Sequence, residues 1–134
     1  MNARMFALVF GVVYLLVGLL GFTASASMAA APLLGLFPVN LLHNLVHILI
    51  GLWGLGSYRA ATGAVTYARG LAILYALLTI LGLIPATNTL FGLVPIYGAD
   101  VVLHALTAII AAYFGWVAPA ETLEAVDAGR FTRG

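Results

Sequence analysis

Four apolar runs divide the chain, at roughly 4–23, 40–58, 66–85 and 99–118. A helix needs about 20 such residues to cross the hydrocarbon of a bilayer. Strands of a membrane barrel alternate apolar and polar residues over about ten positions, and these runs are continuous instead. The expected fold is therefore all-α, a transmembrane four-helix bundle. Composition agrees. The chain is 64% hydrophobic and 7% charged, where a soluble domain is about a quarter charged. Residues 1–118 form the membrane domain on this reading, and 119–134 remain as a solvated tail. The partner implied is the lipid bilayer. A net charge of +1 argues against a nucleic-acid partner, and the absence of cysteine excludes thiol chemistry.

The arginines orient the spans, because Lys and Arg gather on the cytoplasmic side. Arg4 precedes span one, Arg59 and Arg69 flank the link between spans two and three, and Arg130 and Arg133 lie in the tail. The other two loops, about 24–39 and 86–98, carry neither Lys nor Arg. Both termini are expected to be cytoplasmic. The run from Arg4 to TASASMAAA has the outline of a signal peptide. It is long for one, and it has a counterpart later in the chain, so a retained helix is expected. Trp53, Tyr58, Tyr67, Tyr113 and Trp116 fall near the cytoplasmic ends, as an aromatic belt does.

That counterpart reflects an internal repeat. GVVYLLVGLLGF (11–22) matches AILYALLTILGL (72–83), pairing Tyr14 with Tyr75 and Gly21 with Gly82. GLFPVNLLHNLVH (35–47) matches GLVPIYGADVVLH (92–104) without a gap. The second match pairs Gly35 with Gly92, Pro38 with Pro95, His43 with Asp100 and His47 with His104. Each copy is a two-span hairpin of the same orientation, so the copies are expected to be related by a pseudo-twofold axis along the membrane normal.

Helical spacing gives each span one stripe of small and polar residues. Span one stacks Ala7, Gly11, Tyr14, Gly18 and Gly21, and span two stacks Asn40, His43, Asn44, His47, Gly51 and Gly54. Span three stacks Ala68, Ala72, Tyr75, Thr79 and Gly82, and span four stacks Tyr97, Asp100, His104, Thr107 and Ala111. Small residues mark helix contacts in lipid, so these stripes should face inward. Asn40 is placed to cap span two, and GLFPVN and GLVPIYG read as turns into the following helices.

Ionisable groups inside a span point to function by default. Here His43, His47, Asp100 and His104 occupy matched places on two helices. HxxxH facing DxxxH makes a candidate metal site of three imidazoles and one carboxylate, suited to zinc, iron, manganese or copper. Tyr14, Tyr75 and Asn44 are candidates to hold the free ring nitrogens. Haem is a second candidate, with His47 and His104 as axial ligands. The bland alternative is a structural or accessory membrane protein in which the cluster is only inter-helix hydrogen bonding. Transport would call for a homo-oligomer, because one chain this short offers little pathway. Water-activating hydrolysis is a further class, with Asp100 as its only evident base, so enzyme activity stays open.

At GLFPVNLLHNLVH, with TLFGLVPIYGADVVLH as its second half, the chain resembles a family of small bacterial and archaeal membrane proteins. The family is known as the domain of unknown function numbered 4383. The resemblance covers roughly residues 4–118. It implies a four-helix membrane fold in a prokaryotic plasma membrane and assigns no activity, substrate or cofactor.

Overall fold

In the computed structural model of this protein, which describes residues 1–118, most residues are helical. The tail 119–134 lies outside the described residues. The order is α1 (Ala3–Gly21), β1 (Ala31–Leu33), β2 (Phe37–Val39), α2 (Leu41–Ser57), α3 (Ala61–Leu83) and α4 (Ala99–Ala112). A π-helical turn, Tyr113–Val117, continues α4. Three helical segments are long and apolar enough to cross a membrane: Ala3–Gly21, Ala61–Leu83 and Ala99–Val117. The fourth helix, α2, is apolar but only 17 residues long.

Helix starts follow local chemistry. The Asn2 side chain accepts from Met5 N at 3.0 Å and opens α1. Asn40 Oδ1 accepts from His43 N at 2.9 Å and caps α2 as its sequence position suggests. Each satisfies an amide that the helix itself cannot. α3 starts at Ala61, earlier than the expected 66, which leaves only Tyr58–Ala60 between α2 and α3. Thr62 and Gly63 lower the apolarity of that first turn without breaking the helix.

Two expectations change with that start. Arg69 does not flank the link. It lies on α3, where Nε donates to Gly115 O at 2.7 Å and the guanidinium sits 5.7 Å from the Trp116 ring centroid. Tyr67 is not a belt residue. It lies well inside α3, fully buried, with its ring 6.1 Å from Phe6 and 4.9 Å from Trp53. Trp53, Tyr113 and Trp116 are outward-facing.

α1 packs mainly on α2, and α3 mainly on α4. The first pair meets backbone to backbone. A Cβ on Gly11 would lie 2.8 Å from Leu55 N, and one on Gly54 would lie 2.8 Å from Ala7 O. The stripes face inward, with two departures: Thr79 is half-buried and Tyr97 is exposed. Tyr97 precedes Gly98, whose φ of 68° turns the chain just before α4 begins.

The loop before α2 is a small antiparallel hairpin, β1 paired with β2, rather than a simple turn. Its apex holds Leu34 and Gly35 at φ 54° and 72°, as a tight primed turn requires. The loop before α4 has no strands but repeats the apex. Phe91 and Gly92 lie at φ 61° and 84°. Leu36 N donates to Leu33 O at 3.1 Å in the first loop, and Leu93 N donates to Leu90 O at 3.3 Å in the second. Asn40 joins the two loops, because its Nδ2 donates to Leu93 O at 2.9 Å and to Met28 O at 3.3 Å.

Candidate metal centre

His43 and His47 stand one turn apart on α2 and point the same way, as spacing of four on a helix demands. Their ring centroids are 4.5 Å apart. His104 of α4 comes from the opposite side, with its centroid 6.4 Å from that of His43. One nitrogen from each of the three rings can be chosen so that all lie within 4.8 Å of one another. Asp100 sits one turn before His104, in the first turn of α4. Its Oδ2 is 3.7 Å from His43 Nε2. The carboxylate is thus beside the three-histidine group and not part of that set.

All four side chains are almost sealed, with exposures of 2% for His43, 4% for His47, 1% for Asp100 and 1% for His104. Burial of a polar group without a partner costs roughly 1–3 kcal/mol, so such groups are normally paired. Here His43 Nδ1, His47 Nδ1, His104 Nδ1 and Asp100 Oδ2 all lack a hydrogen-bond partner. The cluster is thus not a finished hydrogen-bond network.

Two tyrosines floor the cluster. Tyr14 lies edge-on to His47, with centroids 5.3 Å apart, and Tyr75 lies edge-on to His104 at 5.0 Å. The two phenol rings are 5.5 Å apart. The Tyr14 hydroxyl is hydrogen bonded at 3.0 Å to Thr107 Oγ1, linking α1 to α4. Neither tyrosine holds a histidine Nδ1. Asn44 does not either, because its Nδ2 donates to Ser25 O at 2.8 Å and the amide packs against Gly21. Asn44 ties α2 to the segment after α1, on the side away from the histidines. The roles of Thr107 and Ser25 were not read from sequence. Thr107 lay on the inward stripe, whereas Ser25 carried no periodic signal.

Two cavities reach the cluster from opposite flanks. One, of about 250 Å³, is lined by Val17, Leu20, Phe37, Val39 and Leu103 together with His47 and Asp100. The other, of about 150 Å³, is lined by Leu78, Val94, Ile96 and Val46 together with His43, His47, Tyr75 and His104.

Among proteins of known type, no curated protein and no solved structure matches the chain. One family model does, over residues 4–117, described as domain of unknown function DUF4383. That span takes in α2, α3, α4, all but the first residue of α1 and all four members of the cluster, and the chain is a member of the family of that description.

Proposed function

We propose that this is a four-span prokaryotic plasma-membrane protein, built from a duplicated helical hairpin, that holds a transition metal on His43, His47 and His104 near its outer face. Both termini lie in the cytoplasm on this reading. Arg4 supports the orientation: its Nε donates to Tyr58 O at 2.9 Å, which gathers Arg4 and Arg59 at one end of the bundle. The hairpin and its counterpart loop, without Lys or Arg, lie before α2 and α4 at the other. The matched apices of the two loops, Leu34–Gly35 and Phe91–Gly92, support the duplication.

The observation that carries the metal reading is the set of unpaired nitrogens. Three buried imidazoles have donor atoms within 4.8 Å, and no Nδ1 has a partner. Tetrahedral zinc bound at about 2.0–2.1 Å needs donors about 3.3 Å apart, so side-chain rotations that shorten the separations by up to about 1.5 Å would close the set. Neutral imidazoles suit zinc, iron or copper. Three protein ligands leave one position open, and Asp100 beside His43 offsets part of the ion's charge in a dry site. Haem fits less well. A cavity near 150 Å³ holds benzene, and the two cavities here are about 150 and 250 Å³. The tyrosine and histidine rings pack edge-on between the two cavities.

A second reading, inter-helix bonding alone, is favoured by the Tyr14–Thr107 hydrogen bond. It leaves the histidine nitrogens unexplained. Elemental analysis of the purified protein beside His47→Ala and Thr107→Val separates the two. The expected result is near-stoichiometric metal in the native protein and in Thr107→Val, and loss in His47→Ala. Metal-free native protein that also fails to take up zinc, iron or copper on reconstitution would overturn the metal reading.

A further inference from the structure

The two cavities are images of each other under the pairing of the repeats. Val17 corresponds to Leu78, Phe37 to Val94, Val39 to Ile96 and Leu103 to Val46. The first member of each pair lines the larger cavity and the second lines the smaller. At its inner end the larger cavity carries His47 and Asp100 in place of His104 and His43. Duplication has thus kept an apolar recess on each flank of the cluster, and only one of them adds the carboxylate.

The larger recess opens sideways. Leu20 of α1 and Leu103 of α4 in its lining are 55% and 36% exposed, so on the four-span reading its mouth faces lipid. A ligand that enters there comes from the membrane. Its size is bounded: about 250 Å³ takes a substituted ring and is too small for a tetrapyrrole, since benzene alone fits in about 150 Å³. Its chemistry is bounded too. His47 and Asp100 line this recess, and Asp100 Oδ2 has no hydrogen-bond partner. A fatty-acid carboxylate would meet Asp100 as a like charge, and an amine would meet the proposed metal ion as one. A phenolic hydroxyl is neutral, donates to a carboxylate and accepts from an imidazole N–H.

The geometry points to a binding site for a phenolic lipid: a single ring of the phenol or quinol class sits between α1, α4 and β2. Its hydroxyl meets Asp100 and His47, and its hydrocarbon tail leaves past Leu20 and Leu103. The inference rests on the metal reading only for excluding an amine, and it places the ligand at the open side of the three-histidine centre.

The test uses the full-length protein in phosphatidylcholine nanodiscs, with metal content measured on every sample. The probe is a decyl-substituted benzoquinol kept anaerobic, and the control is its dimethyl ether, which has no hydroxyl proton to donate. Saturable binding is expected for the quinol, weakened at least tenfold for the ether and for Asp100→Asn. Leu103→Trp and Val17→Phe each fill the recess away from the histidines, so they should abolish binding while keeping native metal content. Equal binding of quinol and ether, or unchanged binding in both filled variants, overturns the inference. So does the absence of saturable binding to native protein that carries its metal. Failure of the metal reading shows separately, as native protein without metal.

Discussion

A buried histidine must settle both of its ring nitrogens, and each Nδ1 of His43, His47 and His104 is left open. An ion that binds only the folded protein stabilises it by about 2.7 kcal/mol at a hundred times its Kd. Metal added to stripped protein should therefore raise the unfolding midpoint in mild detergent, with no rise in His104→Ala. Thr107→Val should behave differently. It removes one inter-helix hydrogen bond at 3.0 Å, worth on the order of 0.6 kcal/mol in a membrane protein, and its unfolding midpoint should fall slightly while its metal response persists. These residues were legible because a titratable group in an apolar run stands out. The partners of Asn44 and Tyr14 were not. A side chain on the correct face still has several neighbours within reach, and local spacing does not choose among them.

At the scale of elements, the glycines of α1 and α2 permit what the side chains then use. Gly11 approaches Leu55 N and Gly51 O to 2.8 and 3.0 Å, measured from where its Cβ would stand. Leucine there cannot be absorbed without moving backbone. Gly11→Leu should destabilise the protein by about 1–3 kcal/mol or more in reversible detergent unfolding, whereas Val12→Leu on the outward face should change little. The inward stripes were readable from period alone, since small residues recur on one side of each run. The β1–β2 hairpin was not, because its three-residue strands are too short to show alternation and carry Pro32 and Pro38. The start of α3 was missed for a related reason: hydropathy marks where a helix is apolar, not where its hydrogen bonds begin.

For the whole molecule, the loop apices at Leu34 and Phe91 are 82% and 83% exposed, and Arg4 and Arg59 lie together toward the other end. The chain has no native cysteine, so single introduced cysteines report topology cleanly. Leu34→Cys and Phe91→Cys should react with a membrane-impermeant maleimide on intact cells, and Arg59→Cys only after permeabilisation. The reverse pattern would invert the proposed orientation.

The residues by themselves determined the apolar class, the number of helices, most of their inward faces, and the alignment of His43 with His47 and of Asp100 with His104 on single helix faces. These are local or periodic properties, set by what each residue is and by 3.6 residues per turn. The tertiary structure decided which of those groups share one donor set. His104 falls within reach of both α2 histidines, while Asp100, one turn earlier, stands beside them. That choice depends on how α4 is rotated and raised against α2, and close packing of helices fixes both. No spacing within a single helix carries that information.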